Sequence, residues 1–143
     1  LILLPAFLGI AGALGGILSS RLSTQFHLGM DDASPLPSRS SLRGAIDLSL
    51  LAVPIFIFSG VIAHLIAVVA EQSTPGAGKL VLISAIAGSI VTVFVVAVAY
   101  YTTMGSFRFG LDPDTYGIPI VTSSLDLVGA FTVILAMVLT GVI

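Results

Sequence analysis

Residues 116–143 read YGIPIVTSSLDLVGAFTVILAMVLTGVI, an apolar run broken by a single charge, Asp126. A helix needs roughly 17–25 residues to cross the ~30 Å hydrocarbon core of a bilayer, and this run is long enough. A carboxylate near the middle of such a span costs ~2.5–3.5 kcal/mol on insertion scales. Asp126 is therefore expected to face a bundle interior or a water-filled path. Pro119, Thr122, Ser123 and Gly129 are expected to share its face, as a narrow polar stripe. Leu125, Val128, Phe131 and Leu135 fill the rest of the circumference. The plainer reading of Asp126 is a side chain hydrogen-bonded to a neighbouring helix or held protonated.

Three more stretches are apolar enough to span: 1–20, 48–70 (interrupted by His64) and 80–107. They are continuous runs and not alternating segments, which excludes a β-barrel reading. The whole chain of 143 residues is 57% apolar and 8% charged, with a mean hydropathy of +1.17. Soluble domains carry roughly 25% charged residues, so most of this surface is expected to face lipid. The sequence thus predicts an all-α, multi-pass membrane protein, one transmembrane domain over 1–143, placed in the cell membrane. A net charge of -2 offers no basic patch for nucleic acid. No cysteine is present, so disulfides and thiolate metal sites are excluded.

The connections set an orientation. Arg21, Arg39 and Arg43 lie in or beside the first and Arg108 in the third, against Lys79 in the second. Basic residues concentrate in cytoplasmic loops, which puts the first and third connections inside. Small residues let helices approach closely in lipid. Gly12, Gly16 and Ser20, with Gly9, form one such stripe, and Ser84, Gly88 and Thr92 another; both are expected to be buried helix contacts. Pro54 is a candidate kink. Asp47 reads as an N-cap of the second span, Asp31 and Asp32 as solvated loop acids, and His64 as a hydrogen-bonded interior histidine.

Asp112 and Asp114 bracket Pro113 just before the fourth span. Either suits a helix N-terminus, where an acid is worth ~0.3–1 kcal/mol, and together they can attract a hard cation. Carboxylate, hydroxyl and carbonyl ligands suit magnesium, manganese or calcium over zinc or copper. The candidate metal-ligating residues are Asp126, Thr122, Ser123, Asp112 and Asp114. Magnesium keeps several waters and uses one or two carboxylates, so two copies of Asp126 on a dimer axis would suffice. No nucleotide-binding or hydrolase motif occurs, and no enzyme activity is expected.

The segment 110–129, GLDPDTYGIPIVTSSLDLVG, resembles the last transmembrane region of the MgtE / solute carrier family 41 magnesium transporters. The shared pattern is an Asp-Pro-Asp turn, a proline, and Thr-x-x-x-Asp-x-x-Gly. Leu4-Pro5-Ala6-Phe7-Leu8-Gly9, Gly12-Ala13-Leu14-Gly15 and Ser20-Arg21-Leu22-Ser23-Thr24 are similar to a glycine-rich span of the same family, with Ala13 where the family has asparagine. The resemblance implies magnesium transport through a pore at a homodimer interface, with Asp126 as the pore carboxylate. It also implies a five-helix unit, four of whose spans are visible and one of which precedes Leu1. A proton- or sodium-coupled exchanger and a non-transporting assembly subunit are the alternatives.

Overall fold

A computed structural model describes residues 2–143. Four helices follow one another: α1 (Leu3–His27), α2 (Arg39–Val69), α3 (Ala77–Arg108) and α4 (Ile118–Leu139), the last entered through a π-helical turn, Pro113–Gly117. All are long and apolar enough to cross a membrane when that turn is counted with α4. At 1.5 Å per residue, the 31 and 32 residues of α2 and α3 extend about 46–48 Å, well beyond the ~30 Å core.

This length explains why the helices outrun the expected spans. A hydropathy reading stops at the first charge, whereas a helix continues through the headgroup layer where charges are solvated. So α1 runs to His27 instead of Ser20, and α2 begins at Arg39 instead of Leu48. Asp47 is consequently not a cap but an exposed residue eight positions into α2. The cap is Ser38, whose hydroxyl accepts from the amides of Ser40 and Ser41. α2 continues unbroken through Pro54.

α3 is the central helix and touches the other three, while α2 and α4 do not meet. Close approach depends on glycine. A Cβ on Gly60 would lie 2.8 Å from the Val81 Cα and 3.0 Å from the Leu80 carbonyl oxygen, so α2 and α3 touch backbone to backbone there. A Cβ on Gly88 would lie 2.4 Å from the Phe56 ring, which in turn packs on Phe7 at a centroid distance of 4.7 Å. The expected Ser84–Gly88–Thr92 stripe is buried, and Ser84 ties the pair further. Its hydroxyl donates to the Phe56 carbonyl at 2.6 Å and lies 2.8 Å from the Ser59 hydroxyl.

The stripe on α1 is placed differently from the expectation. Gly9 has nothing within 4 Å of its Cβ position, and Gly12 and Gly16 make only ordinary contacts at 3.7 and 3.9 Å. Ser20 is exposed. The tight position is Gly15, where a Cβ would fall 2.5 Å from Leu125 and 2.7 Å from Val121. Spacing by four identifies a common face, but not which neighbour that face meets.

The polar loop 28–38 is also more ordered than a solvated connection. Asp31 is buried, and it accepts hydrogen bonds from the hydroxyls of Ser38 and Ser41. Tyr100 of α3 donates to the Ser34 carbonyl at 2.8 Å. Inside α2, the His64 Nδ1 is buried and has no hydrogen-bond partner among the described residues, contrary to the expected bonded histidine.

Candidate functional site

α4 is oriented by its small and branched residues. Val121, Leu125, Gly129, Thr132, Val133 and Ala136 recur at helical spacing and are buried. Val121 and Leu125 close on Gly15, and Gly129 receives Leu8, whose Cδ2 would be 2.6 Å from a Cβ there. This corrects the expected stripe: Gly129 belongs to the packed face against α1, not to the face of Asp126.

With that face fixed, Asp126 is carried to the edge of the contact and is exposed on the surface of a single copy. No hydrogen bond or ion pair engages its carboxylate among the described residues. Ser123, one turn earlier, is exposed as well, and Thr122 is half-buried. The Thr122 hydroxyl donates to the Pro119 carbonyl at 3.1 Å, which leaves its oxygen lone pairs available. Thr122 also lies against Gly12, with its Cγ2 3.7 Å from a Cβ at that glycine, so the polar edge of α4 borders the open stripe of α1. Asp126, Thr122, Ser123, Gly9 and Gly16 thus belong to one outward surface, lined by hydroxyls, backbone and one carboxylate.

Asp112 and Asp114 lie outside this surface, before the helix. Asp112 caps the π-helical turn: its carboxylate accepts from the Asp114 amide at 3.2 Å and from the Thr115 hydroxyl at 2.5 Å. The hydroxyl bond first, then the amide bond, hold the Asp112 carboxyl below its ordinary range. Asp114 is exposed in the first turn. Below the turn, Gly117 sits near the hydroxyls of Ser19 and Ser106, each 3.7 Å from its Cβ position, and Ser19 pairs with Thr103 at 2.6 Å. This buried hydroxyl cluster binds the entry of α4 to α1 and α3. Ser19 and Thr103 each belong to an adjacent pair, Ser19-Ser20 and Thr102-Thr103, and nothing in the local sequence marks which member turns inward.

Among the described residues, no three histidine, cysteine, aspartate or glutamate side chains gather as a metal cage. One copy presents one membrane-embedded carboxylate. That suits a hydrated hard cation and not a dehydrated one.

Comparison with curated proteins and with solved structures returns no match. A protein-family model, MgtE, described as a divalent cation transporter, matches residues 4–136. The match reaches into all four helices and includes the three acids of the fourth segment, Asp112, Asp114 and Asp126, and the chain belongs to the MgtE family of divalent cation transporters.

Proposed function

We propose that the chain conducts hydrated magnesium through a pore formed where two copies meet along α1 and α4, with Asp126 of each copy facing the ion. The observation that carries this reading is the exposure of Asp126 midway along a membrane helix. An unpaired carboxylate facing hydrocarbon costs ~2.5–3.5 kcal/mol, and a second copy enclosing a water-filled path removes that penalty.

The surface around it supports the same arrangement. The open Gly9–Gly12–Gly16 backbone of α1 permits close approach of another helix, as small residues do in lipid. A two-fold axis through this patch brings two carboxylates together, since an isologous interface opposes identical surfaces. Magnesium retains several waters and takes one or two carboxylates, and Thr122 and Ser123 supply hydroxyl oxygens to that water shell. Asp112 and Asp114 act at the mouth as an electrostatic lure.

The test is flux into vesicles reconstituted with the purified protein, measured for magnesium, manganese and calcium while pH and voltage are varied. Voltage-driven magnesium flux that needs no proton or sodium gradient is expected. Flux that requires such a gradient would instead favour a coupled exchanger in which Asp126 alternates between proton and metal. Absence of flux would favour an assembly subunit.

A further inference from the structure

His27 closes the inner end of α1, and its ring is held in one orientation. Its Nδ1 lies 2.7 Å from the Ser23 carbonyl oxygen, which can only accept, so Nδ1 carries the hydrogen. The lone pair of the neutral ring is thereby left on Nε2. Phe107 of α3 packs edge to face against the same ring, at a centroid distance of 5.1 Å. The residue is nevertheless exposed. Metal-ligating histidines share this arrangement: the other ring N–H donates to a carbonyl or carboxylate, which fixes the tautomer and raises the basicity of the ligand.

His27 follows Ser20 by two helical turns and Gly16 by three, on the face of α1 that borders the polar edge of α4. After α3 the chain doubles back. The amides of Gly110 and Leu111 bond to the carbonyls of Phe107 and Ser106 at 3.1 and 2.9 Å, with Gly110 at φ +70°. Asp112 thus follows Phe107, the partner of the His27 ring, by a single tight turn. The Thr115 hydroxyl and the Asp114 amide lower the Asp112 carboxyl most, and charge on His27 adds to them, so imidazole and carboxylate lie within electrostatic reach. Each Asp112 oxygen accepts one of those bonds and retains a further lone pair.

We propose that the His27 Nε2 and the Asp112 carboxylate bind one borderline divalent ion, nickel in the test below, at the inner mouth, and that this ion obstructs magnesium. The rest of the mouth offers oxygen, from Asp114, Thr115 and Ser20, which suits hard cations, whereas imidazole suits nickel and zinc. Two protein ligands fall short of a cage of three, so water completes the shell and the ion is a reversible blocker. The other histidine, His64, stands at the opposite end of the bundle, one turn beyond the Gly60 contact with the start of α3. Binding follows from the residues at this end alone; the obstruction rests on the path proposed along α1 and α4.

Calorimetric titration of nickel into the full chain, purified without a polyhistidine tag, reads binding whether or not the protein conducts. His27→Gln is expected to weaken binding by about tenfold or more, since even an outer bond that only orients a ligand is worth 10–100-fold. Asp112→Asn, which keeps the cap, should weaken it less, and His64→Gln should not change it. Absence of binding, or equal binding by the native chain and His27→Gln, would overturn the site. An unchanged affinity in Asp112→Asn would overturn the pairing. In vesicles, nickel on the inner side should slow magnesium flux through the native chain, and His27→Gln should raise the inhibitory concentration by about the same factor as it weakens binding. Nickel bound at His27 without slowing flux would refute the obstruction. Flux that survives Asp126→Ala would instead fault the pore and spare the site. Circular dichroism of each variant separates loss of binding from loss of helix.

Discussion

Leu125 of α4 closes on Gly15 of α1 so tightly that a Cβ on the glycine would lie 2.5 Å from the leucine Cδ1. The next residue is Asp126. Locking Leu125 inward fixes the rotation of α4 and therefore holds the carboxylate at the outward edge. A larger residue at position 15 must push α4 away or turn it. Gly15→Val is expected to cost about 1–3 kcal/mol, the usual penalty of overpacking, and to lower thermal stability in detergent. Val121 shares the contact and is stiff at χ1, so relaxation by rotamer change is limited.

Gly9 and Gly60 make a contrasting pair. Gly60 abuts the backbone of α3, whereas Gly9 meets nothing in its own chain. Gly60→Ala should destabilise each copy. Gly9→Leu should leave the stability of a copy unchanged, yet reduce dimer formation in mild detergent, because position 9 lies on the face assigned to the second copy. Light scattering and melting of both variants check this; a stable Gly9→Leu dimer would remove α1 from the interface.

The Ser84 hydroxyl bridges α3 to α2 through the Phe56 carbonyl. Interhelical hydrogen bonds of this sort average ~0.6 kcal/mol in membrane proteins and reach ~1.7 kcal/mol. Ser84→Ala should lose an amount within that range, and Ser59→Ala less, since the Ser59 hydroxyl also bonds within its own helix. Unfolding in mixed detergent measures both.

Asp112 combines a cap with a charge, and the two can be separated. Asparagine caps as well as aspartate, so Asp112→Asn/Asp114→Asn keeps the turn and removes only the charge. Divalent flux should fall at low salt and recover as ionic strength rises, because exposed charges are screened over about 10 Å at 0.1 M. Selectivity among divalent ions should not change. The pH dependence has a defined sign: the folded Asp112 carboxyl titrates below its ordinary range, so its capping contribution is complete above that range. It is lost only as pH falls through the lowered value, below the usual aspartate range, and helix content at pH 5 should equal that at pH 7. Circular dichroism across that range is the check.

The four spans, the family and the depth of Asp126 along the fourth span are legible in the residues, because long apolar runs and a charge within one of them are signals that lipid imposes directly. Rotation is not. The periodicity around Asp126 is compatible with Gly129 on either side of the boundary, and only the fit of Leu8 into that glycine decides it. Asp31 shows the same limit: a polar loop reads as solvated until Ser38 and Ser41 are seen folded back onto the carboxylate. His64 illustrates the converse, an expected hydrogen bond for which α2 and its neighbours provide no acceptor or donor at Nδ1 among the described residues.

The central claim, that Asp126 is the ion-facing carboxylate, is tested most directly by magnesium flux through Asp126→Ala reconstituted at the same density as the native chain. Insertion should be intact or improved, since the substitution removes a charge that costs ~2.5–3.5 kcal/mol within the bilayer. The account predicts that flux falls to the level of protein-free vesicles. Undiminished flux in that variant would contradict it.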